Sequence, residues 1–118
     1  MAVPTTYAGS EMTSIYGITE RATKTTGRDA RVRPDLVIYD ADLTAGLPLR
    51  ITIQSLLNAL AHAIGTLGTG SLAGDDRVAA LGTVRAVIGA VESLLADPDA
   101  ASAREAAMRA ASSAGVAA

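Results

Sequence analysis

The sequence predicts an α+β chain, with a few short β-strands in residues 1–50 and about three α-helices in residues 51–118. Residues 1–50 mix Thr, Gly, Pro and charges around short β-branched runs, whereas residues 51–118 repeat apolar positions at steps of three and four. A second observation concerns what a core can be made of. Aromatic residues are 3% of the 118, namely Tyr7, Tyr16 and Tyr39, with no Phe or Trp. Large rings bury the most area per residue, so Leu, Ile, Val and many alanines must supply the core. Such a core is thinly stabilised, and association with another chain would help it.

The elements follow in order. Residues 2–5 suit a short strand. Residues 12–19 (MTSIYGIT) alternate and are rich in β-branched and aromatic types, which predicts a strand. Residues 20–29 are polar and contain Gly27, which fits a turn or an exposed excursion. Leu36, Val37, Ile38 and Tyr39 form a short apolar run after Pro34, suiting a buried strand. From there on the period is helical. Ile53, Leu56, Leu57, Leu60, Ile64 and Leu67 mark a first helix, and the run from Val78 to Leu95 marks a second. Asp75 or Asp76 is the expected cap of that second helix. Gly82 and Gly89 share one side of it and would permit a neighbour to approach closely. Asp97-Pro98 is expected to open a third helix, with an almost purely alanine apolar face and Gly115 as its stop.

Several function classes are excluded or disfavoured. A formal net charge of −2 offers neither a basic field for nucleic acid nor a polybasic membrane anchor. With no cysteine, there is no disulfide framework, thiol catalysis or thiolate metal site. The first residues lack a charged and then apolar leader pattern, so the cytoplasm is the expected compartment. Residues 51–74 carry no Asp, Glu, Lys or Arg and are long enough to span a bilayer. Gln54, Asn58 and His62 interrupt that stretch, and Gly65, Gly68 and Gly70 cluster in its second half, which argues against a membrane partner.

One helical face stands out. Asn58 and His62 are four apart and share a side. Helical rotation places them nearly opposite the Ile53–Leu60–Ile64 stripe, together with Gln54, Ser55, Gly65 and Thr66. Solvent-washed faces usually carry Lys and Glu; this one is polar yet uncharged, as the wall of a cleft or interface would be. The plainer alternative is a solvated face on which a lone histidine means nothing. One imidazole and one amide also fill little of a metal's coordination sphere.

The phrase Pro4-Thr5-Thr6-Tyr7-Ala8-Gly9-Ser10-Glu11-Met12-Thr13 has hydroxyls and backbone amides suited to ribose and phosphate oxygens, with Gly9 allowing close approach. After it come IYGIT, KTTGRDARVRPDLVIYD, DLTAGLP and NALAHA. In order and spacing these blocks resemble maleylacetate reductases, a branch of the iron-containing alcohol dehydrogenase family. The resemblance is good over residues 2–64 and fades after Gly65.

It implies that residues 1–50 end a dehydroquinate synthase-like nucleotide-binding α/β domain, and that residues 51–118 open an all-α domain. It implies that Thr5, Thr6 and Ser10 lie along NAD(H) or NADP(H), with Glu11 and Thr13 shaping the same cleft. It places His62 as the catalytic side chain, contacting substrate. In iron-dependent members an Asp stands where Asn58 is and begins, with the histidine four residues on, a divalent metal site of iron or zinc. Asn58 and His62 are therefore the implied, incomplete metal pair, since this chain has no second histidine. The Gly-rich diphosphate loop and the further metal-binding histidines of the family have no counterpart here, which implies an internal fragment.

Two functions of different class follow. One is a maleylacetate reductase-like oxidoreductase, moving a hydride from NAD(P)H to a keto or enoyl acid in aromatic compound degradation. Its small-molecule substrate and nucleotide would be bound by the intact enzyme, with a second copy in a homo-oligomer or a complementing chain as a partner. The other is a non-catalytic remnant acting as a small helical oligomerisation or interaction module.

Overall fold

Alanine and a few branched aliphatics draw three helices together, as the composition requires. The structure, a computed structural model, describes residues 1–70 and 72–117, with α1 at Leu49–Gly68, α2 at Gly74–Ala96 and α3 at Ala101–Ala117. The core consists of Leu56, Ala59 and Ala63 from α1 with Val87, Ala90 and Leu94 from α2. Against them α3 lays Ala103, Ala107, Met108, Ala110, Ala111 and Ala114. Small side chains let the axes approach closely, so the alanine face of α3 finds the close-packed partner it needs.

The helix ends differ from expectation in instructive ways. α2 begins at Gly74, whose φ of +55° suits a residue without a Cβ, and its cap position is Ala73 with no side-chain hydrogen bond. Asp75 and Asp76 are not caps. They lie inside the first turn, where their charge complements the helix dipole. Asp97 likewise does not open α3: its Oδ1 accepts from the Asp99 amide at 3.1 Å, making a turn that delays the helix to Ala101. Nor does Gly115 stop α3, which runs on to Ala117. No described part of the chain makes the close approach that Gly82 and Gly89 would permit, since a Cβ on each would meet nothing within 4 Å.

In the first half, residues 12–19 divide between a 3-10 turn, Ser10–Met12, and the strand β1, Ile15–Glu20. The polar residues that follow are the second strand of a hairpin rather than a mere excursion. Strand β2, Thr23–Arg28, pairs antiparallel with β1 from Ile15↔Arg28 to Glu20↔Thr23. Its two-residue turn puts Arg21 and Ala22 at φ +48° and +65°. Tight hairpins demand that left-handed geometry, usually from Asn or Gly, so the sequence carried no turn signal. The hairpin is solvent-exposed at every position except the half-buried Gly27.

The expected strands at residues 2–5 and 36–39 shrink to one isolated parallel bridge, Ala2↔Val37. Ala2 donates to the Leu36 carbonyl and its own carbonyl accepts from the Ile38 amide, both at 2.9 Å. Leu36 and Ile38 are exposed rather than buried. Two further 3-10 turns, Ala30–Val32 and Ala41–Thr44, are capped by Asp29 and Asp40. Among the described residues one helix, α2, is long and apolar enough to cross a membrane by length and composition. It carries Asp75, Asp76, Arg77, Arg85 and Glu92 and buries one side against α1 and α3.

Candidate functional site

The loop from Pro4 to Ser10 is held by its central residue. Tyr7 is wholly buried, and its hydroxyl donates to Thr44 Oγ1 at 2.5 Å. Thr44 is also buried, and its hydroxyl donates onward to the Ala41 carbonyl at 2.6 Å. Beneath them lies Arg104 of α3, 4% exposed. Its Nη1 donates to the Thr44 carbonyl at 2.5 Å and to the Tyr7 hydroxyl at 3.4 Å, and its Nε donates to the Pro98 carbonyl at 3.1 Å. A buried guanidinium needs such acceptors, because an unpaired buried charge is strongly destabilising. The knot ties the loop, the turn before α1 and α3 into one piece.

Two more contacts fix the loop. The Tyr7 amide donates to Ser55 Oγ on α1 at 3.2 Å. Gly9, at φ +75°, lies directly on α3: a Cβ there would come within 2.5 Å of the Ala111 carbonyl oxygen, and a Cβ on Gly115 would run into the Gly9 carbonyl. Gly115 is thus a point of close approach, which explains a glycine inside a helix.

With Tyr7 drawn inward, its neighbours point the other way. Thr5, Thr6 and Ser10 are exposed, and among the described residues no hydrogen bond engages their hydroxyls. Their hydroxyls lie at the surface, whereas the close approach that Gly9 was expected to offer a ligand is taken up by α3, against which Gly9 is buried. Glu11 is engaged differently: Tyr39 donates its hydroxyl to Glu11 Oε1 at 2.6 Å. Burial, and next the bond to that carboxylate, push the Tyr39 phenol up to about 12, against an opposing hydrogen bond with Ser112. Thr13 donates to the Ser10 carbonyl at 2.8 Å and so shapes the turn itself.

On α1 the buried face is Thr52, Leu56, Ala59 and Ala63. This corrects the expected core stripe, since Ile64 and Leu57 are about half exposed. The core-facing row lies between that apolar stripe and the polar side, on which Asn58 is exposed and His62 half-buried. Ser55, which receives the Tyr7 amide, is on the polar side too. His62 is seven residues further along, two turns or about 10 Å up the helix. The loop's anchor on α1, Ser55, and His62 therefore share one flank of that helix, one lengthwise step apart.

The metal pair fares less well. Asn58 and His62 give two neutral donors, and no group of three or more His, Cys, Asp or Glu side chains clusters among the described residues. Those donors do not fit a metal centre of this chain's own. Elsewhere, Asp29 forms an exposed ion pair with Arg31 at 2.6 Å, and the hydrogen bond from Arg31 holds its carboxyl below the usual range.

The sequence did not reveal the knot. Its one legible signal is Arg104, a charged residue that falls on the same helical stripe as Ala107, Met108 and Ala111.

No family model matches the chain. Known proteins nonetheless resemble it strongly. It is 63% identical over 67 residues to a maleylacetate reductase of Burkholderia cepacia, a match covering 57% of this chain and 19% of that protein. Its fold superposes on the crystal structure of maleylacetate reductase from Rhizobium sp. strain MTP-10005 with a TM-score of 0.85 at 43% identity. That superposition covers 98% of this chain and 33% of the other. Sulfoacetaldehyde reductase from Bifidobacterium kashiwanohense, solved in complex with NAD+, aligns over 98% of this chain and 31% of its own, with a TM-score of 0.85 at 27% identity.

The hairpin, the tethered loop and the three helices are thus a segment of the iron-containing alcohol dehydrogenase fold. Within that family the chain belongs to the maleylacetate reductase branch, of whose members it spans about a fifth to a third of the length.

Proposed function

We propose that this chain supplies one side of the nucleotide and substrate cleft of a maleylacetate reductase-like oxidoreductase. The supporting observation is the tethering of the Thr5–Thr6–Ser10 loop to α1 through Ser55, on the flank that also bears His62. Thr5, Thr6 and Ser10 hold ribose and phosphate oxygens of NADH or NADPH, which supplies a hydride when bound. His62 faces the substrate, a keto or enoyl acid such as maleylacetate, and polarises its carbonyl or relays a proton. Residues 1–50 and 51–118 act as the two adjoining walls, the end of a nucleotide-binding unit and the start of a helical one. The working compartment is the cytoplasm, and the pathway is aromatic compound degradation. No step depends on a metal held by Asn58 and His62, because the donors present do not complete a site.

A second reading draws on the single histidine and the exposed apolar residues of α1 and α2: a helical interaction module without catalysis. A graft separates the two. Residues 2–117 are exchanged for the matching third of the Rhizobium reductase, and NADH oxidation is followed with maleylacetate as substrate. Turnover by the graft supports the reductase reading. A folded graft that binds NADH but does not turn over favours the interaction module.

A further inference from the structure

Residues 28–33 read Arg-Asp-Ala-Arg-Val-Arg, three guanidiniums to one carboxylate. Asp29 gives its carboxylate to Arg31 at 2.6 Å. Arg28 and Arg33 are left over: among the described residues no hydrogen bond or ion pair engages either side chain. Both line one cavity of about 300 Å³, set between the hairpin, the Ala30–Val32 turn and the last turn of α3. No acidic side chain is among its described lining residues. Two like charges bordering one hollow raise its potential and favour an anion. Ser14, half-buried, also lines it, with a hydroxyl that no hydrogen bond among the described residues engages. The hydroxyl of Thr13 beside it is occupied, donating to the Ser10 carbonyl and accepting from the Ile15 amide.

We propose that Arg28 and Arg33 form a binding site for a short dicarboxylate at the junction of the hairpin with α3. It goes beyond the reductase reading and needs neither the nucleotide nor His62. A guanidinium presents paired N–H donors that match the two oxygens of a carboxylate. Two such forks call for two carboxylates, and the Ser14 hydroxyl adds one more donor. Met12, Ala30 and Val116 add apolar lining. Carbons linking two carboxylates would cover that lining, whereas inorganic phosphate would leave it bare. The cavity is at the lower end of the size range of small-molecule sites, which suits a short ligand. The pair has one competing role. The last turn of α3 carries partial negative charge, which nearby cations complement without any ligand.

The test titrates the 118-residue chain with succinate at constant ionic strength and follows its amide NMR shifts. Saturable shifts are expected at Ser14, Ala30, Gly115 and Val116, with a dissociation constant on the order of 1 mM, as two exposed ionic contacts allow. Arg28→Gln and Arg33→Gln should each weaken binding about tenfold, and acetate should bind about tenfold more weakly than succinate. Arg77→Gln on α2 makes the same charge change away from the cavity and should leave the affinity within about twofold. Equal weakening by Arg77→Gln would reduce the effect to general attraction and overturn the proposal. Inorganic phosphate binding more tightly than succinate, and lost in the same two variants, would assign the pocket to phosphate and overturn the dicarboxylate. Absence of saturable shifts would end the proposal outright. Lowered melting in both variants would then leave the arginines as complements to the end of α3. No readout involves turnover, so a graft that fails to reduce maleylacetate counts against the catalytic reading alone.

Discussion

Residues 1–50 and 51–118 divide the labour of this chain unevenly. The first span carries nearly all the recognisable motifs, yet Tyr7 and Thr44 are its only buried side chains. The second carries the core and few motifs. A segment rich in solvent-facing polar groups cannot stabilise itself by burial, so a few specific tethers must position it: the Tyr7–Thr44–Arg104 knot, the Gly9–Gly115 contact and the Tyr39–Glu11 hydrogen bond. The difference teaches that the Pro4–Ser10 loop borrows its rigidity from the helices. Cutting a tether should free the first span while leaving the second folded.

Arg104→Met should have the largest effect. It removes a buried cation whose acceptors, the Thr44 carbonyl among them, would be left unsatisfied, at a cost of about 3 kcal/mol. Chemical denaturation should show the loss, and limited proteolysis should cut within residues 1–48 before the helices. Uniform protection would mean the knot is not what holds the loop. Gly115→Ala drives a methyl group into the Gly9 carbonyl, so the Ser10–Met12 turn must lift from α3. Overpacking of this kind costs about 2 kcal/mol, and amide exchange should quicken at residues 9–13. Ala106→Gly, on the same helix but away from that contact, should not change exchange there.

Tyr7→Phe is milder, about 1 kcal/mol, since it keeps the ring and removes only the hydroxyl that bonds Thr44 and, at a longer distance, Arg104. The last effect is a pH dependence confined to alkaline solution. The folded-state phenol of Tyr39 sits near 12 against an ordinary 10, so folding favours its protonated form. That contribution is complete below pH 10 and fades as the pH climbs towards 12. Tyr39→Phe should flatten the alkaline limb of a stability-versus-pH curve; an unchanged limb would place its origin elsewhere.

What the sequence made legible follows the same division. Helical periods are long and repetitive, so α1 and α2 were readable at residues 53–67 and 78–95 and grew by a few residues at their ends. The hairpin was half seen, because its turn uses Arg21 and Ala22 in a backbone conformation that neither residue advertises. Leu36 and Ile38 looked like a buried strand because apolar runs usually are one, yet the chain offers them a single bridging residue, Ala2. The candidate loop was visible as a phrase, but not the inward turn of Tyr7 that exposes its neighbours. A long-range side-chain network such as Tyr7 with Arg104, ninety-seven positions apart, leaves no local pattern to read.

The central claim is that the Thr5–Thr6–Ser10 loop and His62 border one hydride-transfer cleft, and His62→Ala in the Rhizobium graft tests it most directly. His62 is half-exposed, so melting should stay within about 0.5 kcal/mol of the parent graft. Maleylacetate-dependent NADH oxidation should fall about a hundredfold in kcat while NADH affinity holds, as loss of a positioned proton relay predicts. An unchanged kcat in a folded graft would contradict the account.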